Sequence, residues 1–291
     1  MNPVARILIF AAIMEAILLC RTVPARTFFH DGNCIGLVNL YRVLPGESLV
    51  EIARAFNLGF NEIADANPGV DPFIPPPGVA IVLPSAWILP RSAIQEGIVV
   101  NLAEMRLYLF LPGARRKVMT FPVGIGEAGR ETPLGSFSVM EKLIDPVWHV
   151  PPSIRREKPE LEKTVAPGPE NPLGARALRL SVKDLLIHGT NRPWGQGRRV
   201  SHGCIRLYPE DILQLYDAVP VGIKVTIVSQ PVKIGSGGSR IYAEIHRAEG
   251  TDYLAQALAL LDEEGLLGRI DLQKLKVAIY RKEGIPVDIS R

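Results

Sequence analysis

The 291-residue sequence predicts a mainly β protein with α+β accessory parts, and three observations carry that reading. Short strand-like segments punctuated by turn residues fill positions 97–229, a strand–helix–helix–strand unit precedes them at 41–84, and the tail from 230 onward turns helical. A common single domain runs about 100–200 residues, so two or more units are expected. Hydrophobic content of 47% with 22% charged residues is that of a folded globular chain. The 33 basic and 30 acidic residues nearly cancel, to +3, which excludes nucleic acid as a partner because no basic footprint is present.

Residues 1–25 read as a signal peptide: Arg6, then the apolar stretch Ile7 to Cys20 broken by Glu15, then the small-residue cleavage site Val23-Pro24-Ala25. The stretch is shorter than the ~20 residues of a membrane-spanning helix. A lipoprotein signal fits less well, because the bulky Leu19 precedes Cys20. The chain is therefore expected to be exported. Cleavage leaves Cys34 and Cys204, a poor framework for a disulfide-stapled scaffold. Both can still be read as a disulfide or as inert buried thiols.

Residues 26–40 form an N-terminal segment with no clear pattern. At 41–84, Tyr41-Arg42-Val43 is strand-like, and Ser48 with Glu51 makes a capping box for a helix that turns Ile52, Ala53 and Phe56 to one face. A second helix, Phe60 to Asn67, carries Ile63 and Ala64 inward and stops at Pro68-Gly69; Val79 to Leu83 closes the unit. Residues 85–96 read as a linker. Ile98–Leu102 and Arg106–Phe110 flank a hairpin turn, and Lys117–Val123, Ser136–Glu141, Leu185–His188 and Ile223–Val228 are further strands of a β-sandwich or barrel at 97–229. One helix, Pro209 to Val219, interrupts them, with Pro at its first position and two acids in its first turn. The Pro- and charge-rich stretch Pro151–Gly174 is too long for a casual connection and reads as a wall or lid over a site. Gly235–Ser239 reads as a flexible spacer into a C-terminal accessory region, 230–291, with amphipathic patches at Tyr253–Leu261 and Leu272–Tyr280.

The chemistry concentrates in Leu186-Ile187-His188-Gly189-Thr190 and Ser201-His202-Gly203-Cys204-Ile205-Arg206-Leu207. A strand delivers His188 to its end, and a glycine-hinged turn presents Cys204 ahead of a helix. A thiol of pKa about 8.5 needs a base near neutrality, and an imidazole supplies one. Gly203 lets the amides of His202, Gly203 and Cys204 converge on an oxyanion. Arg206, with Arg198 and Arg199, adds positive potential that favours a thiolate and an anionic substrate. Two other readings compete. A metal site would use His188, His202 and Cys204, but no second Cys or paired-ligand spacing supports a closed site. A buried structural Cys fits poorly with the surrounding glycines and polar residues.

A His followed sixteen positions later by the Cys of Ser-His-Gly-Cys, then Ile and Arg, resembles the signature of the L,D-transpeptidase (YkuD-type) catalytic domain. Pro122-Val123-Gly124-Ile125-Gly126, Thr132-Pro133-Leu134-Gly135-Ser136-Phe137 and Asn171-Pro172-Leu173-Gly174 agree with it. The 41–84 unit resembles a LysM domain in its Tyr-x-Val opening, its Gly-Glu-Ser-Leu turn and its closing Leu-Pro, and departs from it at Phe73–Pro77. The likeness approaches the Gram-negative periplasmic subgroup. It implies Cys204 as acyl-accepting nucleophile and His188 as proton donor and acceptor. Ser201, His202, Gly203 and Gly189 would shape the site, with Arg206 and Thr190 against the substrate. The implied partners are peptidoglycan stem peptides and glycan, and an outer-membrane lipoprotein as one acyl acceptor; no metal or cofactor is expected. An L,D-carboxypeptidase and a non-catalytic peptidoglycan-binding protein are the alternatives.

Overall fold

The computed structural model describes residues 27–29, 32–92, 96–111 and 116–291; the stretch read as a signal peptide lies outside them. The protein is mostly β, with a curled sheet and few helices. Its nine-stranded sheet runs in the order Thr27–Phe29, Lys117–Pro122, Arg106–Phe110, Gly97–Asn101, Lys224–Val228, Gly135–Ile144, Arg176–Leu180, Leu186–His188, Ile205–Arg206. Neighbours pair antiparallel except at Lys224–Val228 with Gly97–Asn101 and at Leu186–His188 with Ile205–Arg206, which are parallel.

The central strands are apolar on both sides because both sides are covered. Ile98, Val100, Leu107 and Leu109 join a core with Ile212 and Leu215 of the helix Pro209–Ala218. Val99, Tyr108 and Phe110 point the other way, into a second core shared with Ile52, Leu58, Ile63 and Ile81 of the N-terminal unit. That unit is therefore not a tethered bead. Its strands Asn39–Arg42 and Ala80–Leu83 pair antiparallel, and its helices are Leu49–Ala55 and Phe60–Asp65. Ser48 and Glu51 form the expected capping box. The second helix stops two residues earlier than expected, because the Asn67 amide leaves it to bond Ile63 O and Val82 O, both at 2.8 Å. Ala64 is only half-buried; the buried neighbour is Glu62.

Two loop expectations are corrected. The linker contains the strand Ala86–Ile88, paired with Cys34–Gly36, and Trp87 is 3% exposed. Its Nε1 donates to Glu62 Oε1 at 3.0 Å and its ring lies 4.1 Å from the Arg106 guanidinium, so an apolar segment that resembled a tether closes a core. The Gly/Ser spacer is part of the hairpin Val232–Gly237/Arg240–Ile245. A Cβ on Gly235 would lie 2.8 Å from Cys34 Sγ and 3.0 Å from Ile88, so glycine is there for close packing rather than flexibility. The tail folds around its own core: this hairpin, the short strand Val287–Asp288 and the helices Tyr253–Glu263 and Leu272–Arg281. Asp252 and Asp271 cap those helices.

Candidate active site

The site lies where the sheet ends. The parallel register Ile187↔Ile205 and His188↔Arg206 sets His188 and Arg206 side by side and runs Cys204 alongside Leu186. Cys204 Sγ donates to Asp184 O at 3.4 Å and is further held by the Leu186 amide. Among the hydrogen bonds of the described residues none joins the sulfur to the imidazole. His188 is 3% exposed, and its Nδ1 lies 2.7 Å from Gly189 O. A carbonyl only accepts, so the proton sits on Nδ1 and Nε2 keeps its lone pair.

Electrostatics at this pair differ from the sequence expectation. Burial, reinforced by the Arg206 charge, pushes His188 down to about 3 against the pull of the Gly189 and Leu173 carbonyls. Burial also raises the Cys204 thiol, and the Leu186 amide and Arg206 offset this only in part. The resting pair is thus thiol with neutral imidazole, where the sequence suggested a thiolate.

The turn before Cys204 is built from neutral hydrogen bonds. Ser201, 1% exposed, donates through Oγ to Cys204 O at 2.5 Å and accepts from Gly203 N at 3.2 Å. The Gly203 amide is therefore occupied, so the three amides do not all converge on one oxyanion. Gly203 has φ +104°, a conformation side chains resist. Thr132 Oγ1 fastens the far side, donating to Gly203 O at 2.8 Å and accepting from Gly126 N at 3.0 Å. Gly189 is wedged, since a Cβ there would lie 2.9 Å from Ile212 Cγ2. Thr190, expected against the substrate, is buried, and its hydroxyl accepts from Arg192 N at 2.9 Å. Arg206 is half-buried, and its Nε has no partner among the described residues.

His202 sits at the rim, with Arg130 Nη1 at 2.8 Å and Glu127 at 3.4 Å. Partial burial and then Arg130 lower its pKa, against Glu127. Arg130 also pairs with Glu157 of the helix Pro152–Glu157. The stretch expected as a wall or lid thus stands against the turn that carries Cys204 through that arginine. It is stitched by Trp148–His149 pairing with Thr164–Val165, and by buried Asn171, whose amide donates to Pro146 O at 2.8 Å. Thr132, Arg130, Asn171 and the Leu173 carbonyl carried no assigned role in the sequence. Thr132 and Asn171–Gly174 stood in stretches that matched a family, but their roles need the fold. Cys34 is a free thiol like Cys204, so no disulfide joins them; burial, with Glu244, raises it to about 11.

The signature of the YkuD L,D-transpeptidase catalytic domain matches residues 95–227, and that of the LysM domain matches residues 41–84. The probable L,D-transpeptidase ErfK/SrfK of Salmonella typhimurium is 38% identical over 260 residues, covering 84% of this chain and 83% of that protein. The chain belongs to the L,D-transpeptidase family. The probable L,D-transpeptidase YbiS of Escherichia coli is 34% identical over 97% of this chain and 98% of its own, so the likeness to L,D-transpeptidases includes the C-terminal region. The putative L,D-transpeptidase YkuD of Bacillus subtilis is 32% identical over 64% of this chain. This L,D-transpeptidase therefore carries a LysM domain packed directly on its catalytic sheet. No helix among the described residues is long and apolar enough to cross a membrane.

Proposed function

We propose that this L,D-transpeptidase works in the periplasm on peptidoglycan stem tetrapeptides, with Cys204 as nucleophile and His188 Nε2 as base. The observation that carries the reading is His188 itself: neutral, locked with its proton on Nδ1 by Gly189 O, and one strand away from Cys204. Rotation of the Cys204 side chain from Asp184 O toward the imidazole starts the reaction. The thiol proton passes to Nε2 as sulfur attacks the carbonyl of the third stem residue, diaminopimelate. The Cys204 amide and the unpartnered Arg206 Nε are the donors available to the developing oxyanion. The C–N bond to D-alanine breaks, its nitrogen takes the proton from Nε2, and a thioester remains. An amine, from another diaminopimelate or from a lipoprotein lysine, then attacks. His188 takes its proton, the C–S bond breaks, and the proton returns to sulfur. The wall at 151–174 supports amine over water as acceptor by limiting solvent.

Incubation of the purified enzyme with disaccharide tetrapeptide is expected to give D-alanine and a tetrapeptide–tripeptide dimer by mass spectrometry, with both lost in Cys204→Ala. A carbapenem is expected to acylate Cys204. Free tripeptide alone would assign an L,D-carboxypeptidase, and no adduct on folded protein would assign a non-catalytic binding protein. A lysine-bearing lipoprotein tail added as competitor identifies the acceptor.

A further inference from the structure

Between His188 and the helix Pro209–Ala218 the chain has little regular structure of its own: a single turn of 3-10 helix at Pro193–Gly195 and the short strands Arg199–Ser201 and Ile205–Arg206. This is the stretch that carries Ser201, Gly203 and Cys204. It is fastened on both sides of the sulfur, and the outer fastenings come from the LysM unit, around the turn 57–60 that joins its two helices.

Ahead of Cys204, Phe60 N donates to Gln196 O at 2.9 Å and Asn61 N to Gly197 O at 3.3 Å. A Cβ on Gly197 would lie 2.6 Å from Gly59 Cα, and one on Gly59 2.8 Å from Gly197 Cα, so the two backbones are in direct contact. Gln196 is 1% exposed, yet neither polar atom of its side-chain amide has a partner among the described residues, so it is held through its backbone. Behind Cys204, Tyr208 Oη donates to Leu58 O at 3.1 Å, and Asn57 Nδ2 lies 2.8 Å from both carboxylate oxygens of Asp211. Arg54 adds a pair with Glu210 through Nε and Nη2, at 2.9 and 3.0 Å.

The turn that supplies these bonds is itself anchored. Leu58 is fully buried, and Asn57 O accepts from Nη2 of the buried Arg106 at 3.0 Å. Asn57 takes φ +56°, a left-handed backbone that few residue types adopt readily. The ends it holds lead straight to the reacting groups. Gly197 N donates to Val123 O at 3.0 Å, Gly124 and Arg206 exchange backbone bonds at 2.9 and 2.8 Å, and Leu207 N donates to His188 O at 2.9 Å. A loop reaches catalytic precision only when something rigid fixes it, and a displacement of about 1 Å can cost on the order of 100-fold in rate.

We infer that the LysM turn 57–60 is a positioning element of the active site: it clamps the chain on either side of Cys204 and thereby sets the thiol against His188. The LysM unit then contributes to the chemical step, independently of any contact it makes with the wall. The inference rests on the proposed reaction of Cys204, which supplies its readout.

The test measures Cys204 acylation by a carbapenem, and kcat and KM for soluble disaccharide tetrapeptide, in the mature full-length enzyme. Neither substrate is polymeric, so weaker wall attachment does not enter. Asn57→Gly removes the amide that holds Asp211 while keeping the left-handed backbone. At a temperature well below its thermal transition it should lower the acylation rate and kcat about tenfold, with KM changed less than about twofold. The swap Asn57→Asp with Asp211→Asn rebuilds the contact with donor and acceptor exchanged, and should restore most of both rates. Arg54→Met, at the part-exposed edge of the clamp, should act in the same direction by about two- to threefold, and carries the test if Asn57→Gly does not fold. Arg247→Gln is the control: it breaks the 2.8 Å ion pair with Asp65 that joins the LysM unit to the C-terminal region, touches neither side of the Cys204 segment, and should leave both rates unchanged. Folded Asn57→Gly or Arg54→Met enzyme that is acylated and turns over at the parent rate would overturn the inference. An equal loss in Arg247→Gln would overturn it too, by tracing the effect to LysM docking in general. A parent that is neither acylated nor able to turn over the soluble substrate would instead count against the proposed reaction.

Discussion

The turn that presents Cys204 and the junction that holds the LysM unit are built from opposite materials. Around Cys204 the fastenings are neutral: Ser201 and Thr132 hydroxyls, backbone amides and an uncharged imidazole. At the junction the fastening is a buried ion pair. Arg106, fully buried, donates from Nε to Glu62 Oε1 at 2.7 Å and from Nη2 to Glu62 Oε2 at 2.8 Å, with Asn57 O and Thr120 Oγ1 taking its other donors. On the same face of the sheet strands, where Tyr108 Oη donates to Glu104 at 2.8 Å, Lys233 repeats the device for the C-terminal region, pairing with Glu104 at 2.7 Å and Glu244 at 2.8 Å. In the proposed reaction a proton has to move at Cys204, and the charge that reaches it, Arg206, lowers the pKa of both thiol and imidazole rather than fastening the turn. Nothing has to move at the junctions, so charge can be buried and fully paired.

The largest expected effect breaks the junction side of this comparison. Glu62→Gln leaves Arg106 buried without its counter-charge and should cost about 3–5 kcal/mol in denaturant unfolding, whereas Glu62→Met with Arg106→Met should recover much of it. A loss below about 1 kcal/mol in the single variant would mean that apolar packing alone holds the LysM unit.

Next is Asp211, on the same junction. Both its carboxylate oxygens lie 2.8 Å from Asn57 Nδ2, and burial first, then Glu210, raises it to about 7, with Asn57, Arg106 and Arg54 opposing. A carboxyl raised in the folded state stabilises it fully below the unfolded value of about 3.9, and that contribution is lost as pH rises toward 7. Asp211→Asn should therefore flatten the pH dependence, with the variant gaining on the parent by about 3–4 kcal/mol between pH 4 and 8. A difference that does not change with pH would show that Asp211 is ionised in the fold.

How much of this was legible follows from the same contrast. Cys204, His188 and the residues around them are adjacent in sequence or one strand apart, so a short motif displayed them. The capping box at Ser48 and Glu51 and the helix at Pro209 were equally local. Glu62, Arg106 and Trp87 are far apart in sequence, and each alone resembles a surface charge or a linker residue; only the fold brings them together. Gly235 resembled a spacer because sequence displays a glycine's freedom but not the Cys34 sulfur and Ile88 side chain against it. Thr132 was hidden for a similar reason: its partners, Gly126 and Gly203, are backbone atoms of other loops.

On the neutral side, Ser201→Ala removes the acceptor of the Gly203 amide and the donor to Cys204 O together. The freed turn should lower kcat about 10–100-fold with KM little changed, while the fold loses only about 1–2 kcal/mol. Thr132→Val should do the same more weakly. A large loss of stability with unchanged kcat would move both residues from the site to the scaffold.

The smallest effect is a shift in a pH profile, and it tests the neutrality of His188 most directly. A base must be unprotonated to act, so kcat/KM falls as pH drops through its pKa in the free enzyme. An exposed histidine would put that limb near 6.5. With His188 held near 3 by burial and Arg206, the limb attributable to this residue should lie below about pH 4. Arg206→Gln removes the charge repulsion but not the burial, which is the larger cause, so the limb should move upward by about one unit and stop short of 6.5. A substrate group would give a limb that ignores this substitution, which separates the two assignments. A parent limb at pH 6–7 that Arg206→Gln shifts upward would mean that the imidazole titrates near its ordinary value and is charged below that pH in the free enzyme. In that case the comparison between a neutral site and ionic junctions fails at its central residue.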